Sequence, residues 1–142
     1  MKEVVIDASV AVKWVVAEDY SANAPLLLEY DTVQAPAHWR AEAVNVLRAK
    51  VFRGDLTATD AEERMLVLNR APVVDAAIAG LVPRAFAISV AHAVTVYDSL
   101  YVALAEQRDI PLVTADERLV RRLAADAVLG KRVLWIGDFG GS

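Results

Sequence analysis

Val4-Val5-Ile6-Asp7 is three consecutive β-branched residues followed by a carboxylate. A continuous apolar run of this kind marks a strand buried on both faces, as in a parallel sheet. Similar runs follow at Ile110–Thr114, just ahead of Asp116, and at Arg132–Ile136. Thr32–Ala35, before Pro36, is a possible further short strand. Helical patterns fill the intervals. Residues 9–17 and 21–30 read as short helices, and residues 38–53 as a long one with Arg53 in its last turn and Gly54 at the stop. Residues 58–70 form another, opened by Thr59 with Glu62 three residues on. Pro83 starts a helix over 83–94. Asp98 opens a buried helix over 99–108, and Thr114 with Glu117 opens one over about 116–126. Strands alternating with helices require right-handed crossovers, which give an α/β fold with a mainly parallel sheet covered on both faces. Ligands of such sheets bind beyond the carboxyl ends of the strands, where Asp7 and Asp116 both fall.

The length of 142 residues suits a single domain, 1–142, with a substantial core, and 56% hydrophobic residues exclude a disordered chain. No cysteine is present, which excludes disulfides and thiolate metal sites and fits a reducing cytoplasm. The weakly polar stretch Ala85–Tyr97 falls short of the roughly 20 residues of a membrane span, so a soluble, cytoplasmic protein with no membrane partner is expected. The net charge of −4 argues against a simple electrostatic binder of nucleic acid. The imbalance lies in residues 1–83, with 8 basic against 12 acidic residues, while residues 84–142 carry 7 of each. Without Asp7, Glu42, Asp98 and Asp116 the whole chain is neutral, so divalent metal at those residues would cancel the field that repels phosphate.

Those four acids stand beside apolar segments, where an unpaired carboxylate is costly. Asp7 closes a central strand. Glu42 flanks the arc of Trp39, Ala43, Val46 and Leu47, with Asn45 on its side. Each has an ordinary structural alternative: a helix cap for Asp98, a favourable dipole position for Asp116, a salt bridge for Glu42, a local turn for Asp7. Together they form an oxygen-only donor set, which suits a hard cation such as Mg²⁺ or Mn²⁺ and points to phosphate chemistry.

The ordered set Val5-Ile6-Asp7-Ala8-Ser9, Glu42 with Asn45, Tyr97-Asp98-Ser99-Leu100-Tyr101-Val102-Ala103-Leu104-Ala105 and Val113-Thr114-Ala115-Asp116 resembles the PIN-domain ribonucleases. It is most similar to the VapC-type toxins of prokaryotic toxin–antitoxin pairs, over essentially the whole chain. The resemblance implies a three-layer α/β/α sandwich, a Mg²⁺- or Mn²⁺-dependent endoribonuclease, an RNA substrate and a small antitoxin that covers the site. Asp7, Glu42, Asp98 and Asp116 match the family's acidic positions, and Ser9, Asn45 and Thr114 its supporting polar ones. Apolar helices over 9–30 offer a surface for an antitoxin or a second copy, and a homodimer is expected.

Competing chemistries are weaker. His38 and His92 would have to act as an acid–base pair, yet neither shows a partner in the sequence. Ser9 lacks the surroundings of a nucleophile elbow. An Asp7-based phosphatase would want a second Asp where Ser9 stands. A non-catalytic binding module is the alternative of another class. Arg118, Arg121 and Arg122, with Lys131 and Arg132, are candidates to position an RNA backbone, although such a cluster is more often a solvated face. Trp14, Trp39 and Trp135 read as core or interface.

Overall fold

A computed structural model describes residues 2–139. Five parallel strands, β1 (Glu3–Ile6), β2 (Thr32–Pro36), β3 (Val73–Ala76), β4 (Leu112–Thr114) and β5 (Val133–Trp135), form one sheet in the order β3-β2-β1-β4-β5. Seven α-helices connect and cover it: α1 (Ala8–Val12), α2 (Trp39–Phe52), α3 (Ala58–Asn69), α4 (Val82–His92), α5 (Val96–Arg108), α6 (Glu117–Leu123) and α7 (Leu129–Arg132). Helices lie on both faces of the sheet, giving the expected α/β sandwich. The chain runs outward from β1 through β2 to β3, then returns to the other side of β1 as β4. That reversal opens a crevice between the carboxyl ends of β1 and β4, where ligands of open parallel sheets bind.

The core explains the ordering. Val4, Val5 and Ile6 are fully buried, as are Leu112 and Val113 beside them. Val5 aligns with Leu112 and Ile6 with Val113. α5 lies against this centre, and every residue from Ser99 to Ala105 is buried. Among the described residues, its pairing with α4 is the one bent apolar pair long enough to resemble a membrane span. The two meet at 116°, and no single helix among the described residues is long and apolar enough to cross a membrane.

Several local expectations need correction. α1 stops at Val12, so residues 13–17 are not helical, and residues 21–30 hold only a 3₁₀ segment, Ala24–Glu29. Pro25 sits in its first turn and β-branched Val15-Val16 disfavours extension of α1. α3 is capped by Thr57, not Thr59: the Thr57 hydroxyl accepts from Asp60 N at 3.1 Å. Thr95, not Asp98, caps α5, accepting from Asp98 N at 3.0 Å. Thr114 belongs to β4, and Asp116 takes the cap of α6. β3 and α7 were not expected at all.

Candidate active site

Asp7 follows the last residue of β1 and caps α1, accepting from Val10 N at 3.3 Å. Ser9 donates its hydroxyl to Asp7 Oδ1, and Thr114 from β4 donates to Oδ2. Ser9 in turn accepts from Ala115 N at 3.1 Å, and Thr114 from Asp116 N at 3.0 Å. One network therefore ties the ends of β1 and β4 together beneath the crevice. Burial pushes the Asp7 carboxyl up to about 6, against hydrogen bonds from Ser9 and Thr114 that favour its charge.

Glu42 lies in the first turn of α2. Its Oε1 stands 2.9 Å from His38 Nε2, one turn earlier, and accepts from the Tyr101 hydroxyl of α5 at 2.7 Å. Burial raises the Glu42 carboxyl, but the bonds from His38 and Tyr101 outweigh it and leave the group below its usual range. Burial and the adjacent Glu42 hold the Tyr101 hydroxyl protonated far above its ordinary value, so it remains a donor. Asp98 is raised by burial, then by the charges of Asp116 and Glu42. Asp116 spends Oδ1 on Arg118 N and Leu119 N, at 3.0 and 3.2 Å.

All four acids line one cleft of about 250 Å³, together with Ser9, Asn45 and Tyr101. Thr114 lies beneath it, fully buried. Among the described residues, no three His, Asp or Glu side chains stand close enough to grip one ion directly. The donor set still fits a hard cation: it is all oxygen, and Asp98 is raised first by burial and then by the like charges of Asp116 and Glu42. Mg²⁺ keeps several waters and takes few protein ligands directly, which suits an open cleft with acids on its walls.

The structure divides the basic residues. Arg118 and Arg122 line a smaller hollow that shares Asp98 and Asp116 with the acid cleft. Arg121 faces Glu117 at 3.6 Å and lines a different hollow with Trp135. Arg132 is structural, donating to the carbonyls of Ala105 and Ile110 at 3.2 and 3.1 Å. Lys131 lines a third hollow with Arg132, and that hollow shares no residue with the acid cleft. The tryptophans are structural as expected: Trp39 is fully buried and donates to Asp75, Trp14 donates to Ala24 O, and Trp135 packs edge-on against Tyr20. Both histidines have carboxylate partners that the sequence did not reveal. His38 meets Glu42, and His92 stands 3.5 Å from Asp126. They belong to separate pairs. His38 was legible in principle, because it precedes Glu42 by one helical turn; Tyr101 carried no such signal.

A PIN domain family model matches residues 4–125. Ribonuclease VapC12 of Mycobacterium tuberculosis is 35% identical over 120 residues, covering 83% of this chain and 90% of that protein. The chain belongs to the PIN-domain family, as a VapC-type ribonuclease. Ribonuclease VapC3 of the same organism is 30% identical over 130 residues, covering 91% of this chain and 93% of its own. Two solved PIN-fold structures share the architecture. PAE2754 from Pyrobaculum aerophilum superposes with a TM-score of 0.68 at 18% identity, covering 96% of this chain and 85% of its own. The sarcin–ricin-loop-cleaving toxin VapC20 of M. tuberculosis does so with 0.60 at 15%, covering 78% and 86%.

Proposed function

We propose that this VapC-type chain is a Mg²⁺- or Mn²⁺-dependent endoribonuclease and the toxin of a toxin–antitoxin pair, with a small antitoxin as its protein partner. The observation that carries the reading is the meeting of Asp7, Glu42, Asp98 and Asp116, from four separate segments, in one cleft at the β1/β4 crevice. Asp7, Glu42 and Asp98 would hold the principal cation, with Asp116 holding a second ion or orienting its water. Such a cation, when bound, supplies an activated water and neutralises charge on the phosphate undergoing hydrolysis.

The protein's own part is positioning. Ser9 and Thr114 fix both oxygens of Asp7. Tyr101 and His38 pin the Glu42 carboxylate and keep it ionised. Asp116, which lines the cleft, has one oxygen locked by the backbone of α6. These restraints reduce the ordering needed when substrate arrives.

The test is cleavage of single-stranded RNA by purified protein in Mg²⁺, Mn²⁺ or EDTA, with fragment ends mapped. Cleavage with either metal and none in EDTA is expected. Robust cleavage in EDTA would overturn the metal-dependent reading, and RNA binding without cleavage under every condition would favour a non-catalytic module.

A further inference from the structure

The acid cleft presents a difficulty to its substrate. Its lining includes four carboxylates and neither Lys nor Arg. A cation in the cleft serves the phosphate under attack, but the next phosphates along the strand meet the same negative field. Some positive group beside the cleft must receive one of them.

The hollow next to the acids meets that need. It is lined by Ala93, Val94, Thr95, Arg118, Leu119 and Arg122, and its remaining walls are the cleft residues Asp98 and Asp116. The two spaces therefore share a boundary made of two site carboxylates. One wall is the turn between α4 and α5, where Ala93 adopts a left-handed conformation at φ 55°. Arg122 donates to the Ala93 carbonyl and braces that wall. The opposite wall is the first turn of α6.

Arg118 differs from its neighbours. Arg121 faces Glu117, and Arg132 is spent on backbone carbonyls and Asp109. Arg118 lies within salt-bridge distance of no carboxylate among the described residues, and it is exposed. Its backbone N–H is held by Asp116, so the residue is anchored to the cleft while its guanidinium is free. A guanidinium presents a planar fork of donors that matches phosphate oxygens.

We infer that the hollow between the α4–α5 turn and α6 is a subsite for the RNA phosphate adjoining the scissile one, with Arg118 as its contact and Arg122 as the brace of its wall. The inference rests on the ribonuclease reading and adds to it a positioning residue. Arg121 has no part in it.

The experiment compares native protein with Arg118→Gln, Arg118→Lys and Arg121→Gln. Cleavage of a single-stranded RNA in Mg²⁺ is followed over a series of NaCl concentrations, and filter binding of the same RNA is measured alongside. Arg118→Gln should raise KM roughly tenfold with kcat nearly unchanged, the loss of one charge-assisted bond. The slope of log affinity against log salt should shrink by about 0.7, the value for one phosphate contact on a single strand. Arg118→Lys should restore the slope, and Arg121→Gln should match native protein. An unchanged KM and slope in Arg118→Gln, or an equal loss in Arg121→Gln, overturns the subsite. Failure of the native protein to cleave would instead strike at the ribonuclease reading, and filter binding still decides on Arg118.

Discussion

The Tyr101 hydroxyl donates to Glu42 Oε1 at 2.7 Å, across 59 residues of chain. Tyr101 is almost fully buried, so its ring is fixed by the core while its hydroxyl reaches the cleft. Tyr101→Phe keeps the ring and removes the donor. Cleavage should fall roughly tenfold, as expected for a hydrogen bond to a charged group. Glu42→Gln should cost more, whereas Glu62→Gln and Glu63→Gln, exposed on α3, should cost nothing. Measured kcat/KM with matched melts separates these. Native activity in Tyr101→Phe would mean that Glu42 needs no anchor.

Asp7→Asn should abolish cleavage and stabilise the metal-free fold. The carboxyl of Asp7 is raised from 3.8 to about 6 on folding. Its favourable contribution is therefore complete below the unfolded value and lost as pH rises through the folded one. Near neutral pH the native protein without metal carries a buried charge that the amide lacks. The difference should be about 1–3 kcal/mol in EDTA. Saturating Mg²⁺ should reverse the order, since the native protein gains more binding free energy. Paired thermal melts check both arms. A variant less stable than native in EDTA would make Asp7 a structural hydrogen-bonding residue.

Cleavage at limiting Mg²⁺ should decline with acid, with a midpoint near the Asp7 value of about 6, because both Asp7 and Asp98 are raised and a protonated carboxyl is a poor cation ligand. Raising Mg²⁺ should move the midpoint to lower pH, as metal and proton compete. Single-turnover rates at constant ionic strength provide the profile. A midpoint indifferent to Mg²⁺ would separate Asp7 from the cation.

Arg132→Ala should destabilise the fold by about 1–3 kcal/mol without altering RNA affinity per folded molecule. Its guanidinium satisfies the carbonyls of Ala105 and Ile110 where α5 leads into β4. Melting and salt-dependent binding test the two halves. A weakened salt dependence would return Arg132 to the RNA surface.

The strands that were legible are the buried ones. β1 and β4 announce themselves because both faces are covered and their buried runs, Val4–Ile6 and Leu112–Val113, are apolar. β3 escaped notice because it is an edge strand: Val74 and Asp75 are exposed between buried Val73 and Ala76, so neither a continuous nor an alternating pattern survives. Helix caps slipped by two or three residues wherever two capping residues stood close together. Thr57 and Thr59 compete at α3, Thr95 and Asp98 at α5, and Thr114 and Asp116 at α6. Tertiary bonding settles the last case, because Thr114 is already engaged with Asp7. The four acids were readable from their apolar surroundings and gather as expected. His38, one helical turn before Glu42, was open to the same reading, whereas Tyr101 announces no partner until helices α2 and α5 are brought together.

The strand order also sets a timetable for biosynthesis. β1 is translated early yet sits mid-sheet, with one edge waiting for β4. Asp7 leaves the ribosome long before Thr114 and Asp116, the residues that complete its network and its cleft. A nascent chain stopped short of β4 therefore has an open central edge and only part of its acidic set. Under the proposed activity, the complete acidic site exists only once β4 and the start of α6 have been made.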